Sequence, residues 1–328
     1  MAPDTASPMS SLRGRERALV HESAPPRGSS AMKALLHDEP FDDDAWIFER
    51  KLDGVRVIAV REGERVRLLS RNDLSFNARY PEVADALLAE PCERFAVDGE
   101  VVAFAGRETS FSRLAARGHH WVPVFYYVFD ILWLDGMDLR MLPLRTRKRL
   151  LRATLKFHGP VRWTPHRRAH GTTLLPDACA RGWEGLVAKR EDSAYTATRS
   201  RDWLKLKCGH GQELVIGGFT EPKGSRTDFG ALLLGYYKAG RLRYAGKVGT
   251  GFDRVELHEL GRRLSSLRRD DPPFTGAASI RERGVTWVEP RLVAEVGFTE
   301  WTSDGRLRHP RFLGLRDDKA PTEVVRES

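Results

Sequence analysis

Apolar and polar positions fall in short alternating runs along most of the chain, separated by turn-forming residues, a pattern that predicts strands more often than helices. Ala45 to Phe48 and Val55 to Val60 are apolar and strand-forming, and Glu49 to Gly54 is the junction between them. The second run turns at Arg61-Glu62-Gly63-Glu64 into Val66 to Leu69, a predicted hairpin. Pro81 suits the first turn of a helix in which Val83, Leu87 and Leu88 recur at helical spacing. Strands are predicted around Phe95 to Val97, over Val101 to Ala105 and, long and buried, over Val122 to Leu134. Ser110 caps a short helix, and Pro143 opens a helix bearing Arg145, Arg147, Lys148, Arg149 and Arg152. A further helix, Thr172 to Arg181, stops at Gly182 and precedes strands over Leu186 to Lys189 and Trp203 to Lys207.

Gly209-His210-Gly211 marks a break in composition, where a domain boundary is expected. Beyond it the strand runs are Glu213 to Phe219, Ala231 to Tyr237, Leu242 to Val248 and Leu292 to Thr299, with a helix from Asp253 to about Leu267. Several short strands and one helix predict a small β-barrel. The expected organisation is α+β: a tail over 1–30, a domain over 31–208 and a second over 209–328. The tail is rich in Pro, Ser, Ala and Arg and lacks the apolar stretch of a signal peptide, so it is read as flexible.

Composition narrows the partners. The 328 residues carry a formal net charge of +9, which favours a polyanion such as nucleic acid. No run reaches the roughly 18 apolar residues of a membrane span, and no membrane role is expected. Cys92, Cys179 and Cys208 are odd in number and far apart, which reads as reduced thiols. His166 and His170 have the i, i+4 spacing of a helical metal pair but stand beside Arg167 and Arg168 with no third ligand near, so no metal is assigned to them. The basic face of the helix after Pro143 is read as solvated.

The candidate chemistry centres on Glu49-Arg50-Lys51-Leu52-Asp53-Gly54-Val55-Arg56, one lysine between two carboxylates followed by a glycine and an arginine. An amine is nucleophilic only when neutral, and an ordinary lysine pKa of about 10.4 leaves roughly one molecule in a few thousand neutral at pH 7. Neighbouring cations or burial must lower it. Alternation in Trp203 to Lys207 puts Lys205 and Lys207 on one face, two ammonium groups able to do so.

Glu49, Lys51, Asp53, Gly54 and Arg56 resemble the first motif of the covalent nucleotidyltransferases, the superfamily of ATP-dependent DNA ligases, RNA ligases and capping enzymes. The others follow in family order: Ser70-Arg71-Asn72, Asp98-Gly99-Glu100, Val128-Phe129-Asp130, Glu184 to Lys189, Trp203 to Lys207 and Arg316-Asp317-Asp318-Lys319. The wording around them, Glu39-Pro40-Phe41-Asp42 and Arg308 to Leu315, is most similar to the ligase module of bacterial ligase D, an enzyme of non-homologous end joining. The absence of a C-x-x-C pair sets the chain apart from the zinc-bearing NAD-dependent ligases.

The resemblance implies an adenylation domain of antiparallel sheets with flanking helices, followed by an OB-fold. It implies that Lys51 takes AMP from ATP, with Mg²⁺ or Mn²⁺ held by Glu184 and Asp53. Glu49 and Glu100 would handle the base and ribose, and Phe129 would stack on adenine, although an ordinary core aromatic reads the same. Lys205 and Lys207 would meet the phosphate, and Arg71 and Arg56 the DNA 5′-phosphate. Arg316, Asp318 and Lys319 would close over the pyrophosphate. The implied partners are nicked or broken double-stranded DNA, a Ku-type end-binding protein and a separate polymerase, for a monomeric enzyme in the cytoplasm at the nucleoid. An RNA ligase or a GTP-dependent capping-type enzyme is the alternative, separable by nucleotide and by substrate.

Overall fold

The computed structural model describes residues 7–118, 121–222, 228–277 and 280–327. The chain divides into two compact units, Met1–Cys208 and Gly209–Ser328. In chain order the first unit contains β1 (His21–Glu22), β2 (Lys33–Leu36), β3 (Trp46–Arg50), β4 (Val55–Glu62), β5 (Arg65–Leu69), α1 (Pro81–Leu88) and β6 (Arg94–Val102). There follow β7 (Phe104–Ala105), β8 (Glu108–Thr109), α2 (Phe111–Ala115), β9 (Phe125–Leu134), β10 (Met137–Asp138) and α3 (Leu144–Thr154). It closes with β11 (Val161–Trp163), β12 (His166–Arg168), α4 (Gly171–Ala180), β13 (Gly185–Arg190) and β14 (Arg199–Lys207).

These strands build two larger sheets. One runs β1-β10-β9-β6-β4-β5 with β11 beside β9, and the other runs β12-β3-β13-β14-β2. Period-two alternation in β4 explains the layering: Val55, Val57 and Ala59 join a core with Val83, Leu87, Leu114 and Leu150, residues of the helices, whereas Ile58 and Val60 join a second core with Phe129, Trp133 and Trp203. Trp203 belongs to the other sheet, so the second core lies between the sheets. On the far side of that sheet, Phe48, Leu186, Ala188 and Leu206 pack against Ala178 of α4. β3 and β4 lie in different sheets, and residues 51–54 are the passage from one to the other.

Three expectations are corrected here. The segment before residue 31 is packed from residue 7 onward, while residues 1–6 of the expected tail lie outside the described residues. Leu12 is buried, β1 pairs with β10, Trp133 Nε1 donates to Ser23 O (2.9 Å), and Thr146 Oγ1 donates to Glu16 (2.6 Å). Polar composition concealed one buried leucine and a set of groups whose partners lie more than a hundred residues away. Secondly, Cys179 and Cys208 form a disulfide, with Cα atoms 5.2 Å apart, because α4 and the end of β14 flank the same strand; spacing along the chain carries no trace of this. Thirdly, α3 is not basic and solvated throughout, since Arg147 and Lys148 are buried. The histidines do not share a helix: His166 is in β12 and His170 caps α4.

The second unit holds β15 (His210–Thr220), β16 (Leu232–Lys238), β17 (Arg241–Val248), α5 (Arg254–Ser265), β18 (Arg268–Arg269), β19 (Val285–Phe298), β20 (Glu300–Trp301), β21 (Leu307–Arg308) and β22 (Arg311–Leu315). Its main sheet runs β17-β16-β15-β19-β18, with β22 beside β19, all antiparallel. Leu214, Ile216, Leu232 and Leu234 pack with Leu257, Leu260 and Leu264 of α5; Val215 and Leu233 belong to a separate core on the other face. Both faces of the sheet therefore carry buried apolar residues. Asp253 and Glu256 form a reciprocal capping box at the start of α5 (2.8 and 3.0 Å), which fixes where the helix begins.

Arg147 and Asp130 are both fully buried and joined by two bonds, Nε to Oδ1 (2.8 Å) and Nη2 to Oδ2 (2.9 Å). Arg147→Met leaves Asp130 buried without its cation and is expected to destabilise the first unit by about 3–5 kcal/mol in urea unfolding. Adding Asp130→Leu should recover most of that loss; a double variant no more stable than the single one would contradict the assignment.

Candidate active site

The sheet-crossing passage places Lys51 directly after β3. Gly54 has to be glycine there, because a Cβ would lie 2.2 Å from the Val101 carbonyl oxygen. The Lys51 amide donates to Gly185 O (2.9 Å), which continues the β3–β13 ladder by one step. Glu49 faces Val187 and Val187 faces Lys205, while Gly185 faces Lys207. Residues opposite one another in an antiparallel pair share a face. Glu49, Val187 and Lys205 thus form one row and Lys51, Gly185 and Lys207 the next, with two strand spacings, about 10 Å, from Lys51 to Lys207.

The ammonium of Lys51 donates to Glu184 Oε1. The other oxygen, Glu184 Oε2, is buried and has no hydrogen-bond partner among the described residues. A carboxylate with one committed and one open oxygen fits a hard divalent cation, which binds through one or two carboxylates and completes its shell with phosphate oxygens and water. Asp53 lies farther along the passage, where Oδ2 accepts from the Phe111 amide (2.9 Å) and the Asp53 amide donates to Thr109 Oγ1 (3.2 Å). Those contacts fasten the loop. Among the described residues no three His, Cys, Asp or Glu side chains come together in a metal-binding group.

Glu49, expected at the nucleotide base, lies in β3. Its side chain is buried between two ammonium groups, Lys148 on Oε1 and Lys189 on Oε2 (2.7 Å). Burial alone would raise the Glu49 pKa, but the two lysines outweigh it and hold the carboxyl below its ordinary range. Lys189 is buried as well. Burial drives its ammonium down to about 8, Glu49 opposing the fall and Lys148 adding to it.

Arg56 and Phe129 lie beside each other in the first unit. Arg56 is spent on Asp98, Nε to Oδ1 and Nη2 to Oδ2 both 2.5 Å, and donates to Met32 O (3.3 Å). Burial would lower the guanidinium pKa, yet Asp98 outweighs that and raises it. Tyr195 OH donates to the same carboxylate (2.5 Å) and accepts from the Met32 amide (2.9 Å). The bidentate pair with a buried carboxylate fixes the position of the guanidinium. Phe129 is 7% exposed; Arg56 lies 4.6 Å and Lys189 4.0 Å from its ring centroid, and Trp203 meets it edge to face. Its ring is flanked by two cations and an aromatic edge.

Glu100 is half-buried on β6, opposite both Arg56 and Tyr127. Arg71 is half-buried in the turn after β5, which Ser70 Oγ organises by accepting from the Asn72 and Leu74 amides (3.2 and 3.0 Å). In the second unit Arg316 and Asp318 are buried against each other (2.8 and 2.9 Å), and Arg316 also reaches Glu295 (3.2 Å). Lys319 pairs with Glu213 at 2.9 Å. Of the three residues expected over a pyrophosphate, Arg316 and Asp318 are buried and Lys319 is the least buried.

Lys148, Lys189, Asp98 and Tyr195 escaped the sequence reading as site residues. Alternation along β13 could have put Lys189 on the face of Val187. Nothing near Tyr195 or Lys148 announces a partner so distant in the chain.

Residues 29–207 match the family model of the ATP dependent DNA ligase domain, and residues 225–319 that of the ATP dependent DNA ligase C terminal region. The "Multifunctional non-homologous end joining protein LigD" of Pseudomonas aeruginosa is 40% identical over 296 residues, 86% of this chain and 35% of that protein. A "Probable DNA ligase" of Streptomyces avermitilis is 34% identical over 305 residues, 85% of this chain and 57% of that protein. The chain therefore spans about a third of the LigD relative and rather more than half of the other. Among solved structures, "mycobacterial DNA ligase D complexed with ATP and MES" superposes with a TM-score of 0.65 at 33% identity, covering 91% of this chain and 99% of that one.

An unfolded lysine keeps a pKa of about 10.4, so between the folded value of about 8 and that one the unfolded chain binds more protons and stability rises with pH. Lys189→Met should remove this contribution. Urea unfolding of both proteins at about pH 8 and about pH 10 checks it: relative to the variant, the native protein should gain stability at the higher pH, and a relative loss would refute the assignment.

Proposed function

The chain belongs to the ATP-dependent DNA ligases, and from that premise we propose that it seals 5′-phosphate/3′-hydroxyl nicks in duplex DNA through a lysyl-AMP on Lys51. The observation that carries this reading is the position of Lys51 at the passage between two sheets, against Glu184 and in the row of Lys207. An ammonium held by a carboxylate is no nucleophile, so Lys51 has to leave Glu184 and lose its proton before it attacks. The nitrogen then bonds to the α-phosphorus of ATP as the bond to pyrophosphate breaks. Lys205 and Lys207 favour the neutral amine and the charge that gathers on the phosphate oxygens. A divalent cation, Mg²⁺ or Mn²⁺, would supply further positive charge there, held by Glu184. Glu100 is the proposed ribose contact.

In the second step a DNA 5′-phosphate oxygen takes the adenylyl group from Lys51; Arg71 grips that phosphate with its planar fork. In the third the 3′-hydroxyl attacks and AMP leaves. Lys319 is the proposed contact of the second unit with the pyrophosphate. For the setting we propose non-homologous end joining, the process printed in the names of the LigD relatives, and as further parts of the proposal a Ku-type end-binding protein and a separate polymerase as partners and a monomeric enzyme at the cytoplasmic nucleoid. No helix among the described residues is long and apolar enough to cross a membrane.

Radiolabelled ATP with Mg²⁺ or Mn²⁺ should leave label on the denatured protein, and labelled GTP should not. Lys51→Ala and Lys51→Arg should both abolish it; label retained by either variant would move the nucleophile elsewhere.

The steps separate by residue. Lys319→Ala is expected to slow reaction with ATP on the order of a hundredfold and to spare sealing of a nick already carrying AMP, since pyrophosphate has left by then. Arg71→Ala should keep lysyl-AMP formation and lose sealing of both nicks. Asp318 is unsuitable for this test, because its loss strands the buried Arg316. Equal loss by Lys319→Ala on both substrates would assign Lys319 to DNA binding or folding.

A further inference from the structure

α3 and β12 enclose a cavity of about 230 Å³ away from the Lys51 passage. Arg145, Lys148, Arg149 and Arg152 line it, at the i, i+3, i+4, i+7 spacing that sets four cations on one helix face. His166 and Arg168 of β12 face them. Like charges four residues apart on a helix repel, so such a face needs compensation. It is only partly supplied. Arg149 pairs with Glu16 (3.1 Å), Arg168 with Glu191 (2.7 Å) and Lys148 with Glu49, but Arg145 and Arg152 have no carboxylate within ion-pair distance among the described residues. Arg152 lies 5.5 Å from the Trp163 ring centroid and Lys148 4.7 Å, so the aromatic wall also turns its negative face to cations. Five permanent cations thus surround the cavity against three carboxylates, one of which, Glu49, is shared with Lys189.

A pocket with this excess and with guanidinium forks on its rim suits a phosphate oxyanion. Burial and Lys148 hold the His166 imidazole below its ordinary range, which accords with a positive interior. Ile47, on the cavity wall, is four residues along β3 from Lys51, about 13 Å at the usual rise per strand residue. That separation is a few nucleotides of backbone. We propose that this pocket receives a phosphate group of the DNA strand, a second anchoring point apart from the one at the reacting end. The proposal rests on the DNA-sealing function above. The occupant's charge would also compete with Glu49 for the ammonium of Lys148, linking the pocket to the buried lysine pair.

Arg145 and Arg152 are exposed, so the double variant Arg145→Gln/Arg152→Gln should fold normally. Binding of a fluorescent nicked duplex is measured by anisotropy across a salt series, with inorganic phosphate titrated calorimetrically in parallel. For one lost phosphate contact the slope of log affinity against log salt should become shallower by roughly 0.9, and affinity at about 0.1 M salt should fall about tenfold. Arg145→Lys/Arg152→Lys should restore most of the slope, as retained charge demands. If the glutamine variant loses inorganic phosphate but keeps the full DNA slope, the pocket takes free phosphate and the strand proposal is overturned. No change in either measurement overturns it outright. Labelling of Lys51 by ATP without DNA is the control: it should be intact in both double variants, and its absence in the unaltered protein would sink the ligase reading while leaving the phosphate titration to decide the pocket.

Discussion

The tight approach of the chain at Gly54 to the Val101 carbonyl is the constraint on which the candidate site depends. No side chain fits in that gap, so the passage from β3 to β4 can be short, and a short passage leaves Lys51 no choice of position. A second close approach answers it across the ladder. At Gly185 the backbone has φ 145°, and a Cβ would sit 1.9 Å from the Leu206 oxygen. The same glycine accepts the Lys51 amide bond and stands opposite Lys207. Two missing side chains therefore set the spacing among the lysine, the carboxylate beside Gly185 and the cation one strand farther on.

Around this frame lie three buried ionic groups: Glu49 with Lys148 and Lys189, Arg56 with Asp98, and Arg147 with Asp130. Taking each charge out of water costs several kcal/mol, and the attraction recovered seldom exceeds that by much, so their value is not chiefly stability. What they do supply is geometry. Arg56 ties β4 to β6, and Tyr195 ties Asp98 to the strand-entry residue Met32. Glu49 joins β3 to both α3 and β13. The sheets and the helix above them are thereby held in one register by bonds that tolerate little misplacement.

Legibility in the sequence followed the range of the interaction. The β4–β5 hairpin, the passage at Lys51 and the alternation of Lys205 with Lys207 are encoded by neighbours a few residues apart, and all three emerge from pattern. Arg147 and Lys148 look like any solvated pair on a basic helix because their partners, Asp130 and Glu49, lie in other elements. Phe129 sits in a motif whose resemblance points to a stacking ring, yet nothing local reveals that Arg56, Lys189 and Trp203 occupy its surroundings. The Cys179–Cys208 bridge belongs with these: it spans 29 residues of sequence but only the width of one strand and a helix. The packed segment before residue 31 failed for a different reason, since polar composition reports on average burial and one leucine with a few hydrogen bonds was enough to fasten it.

That disulfide bears on the one atom that is costly to leave alone. A buried carboxylate oxygen without a partner, as Glu184 Oε2 is, is disfavoured by a kcal/mol or more, and a flexible loop would turn it toward water. The loop here has little freedom to do so. Glu184 O accepts from the Cys208 amide (3.0 Å), Cys208 is bonded to Cys179 at the end of α4, and Gly185 is locked under Leu206 on the other side. The Glu184 backbone is consequently fixed from both sides. A carboxylate on a fixed backbone loses less entropy on meeting a ligand than one on a flexible loop, and the disulfide with the close approach at Gly185 gives the Glu184 backbone that rigidity.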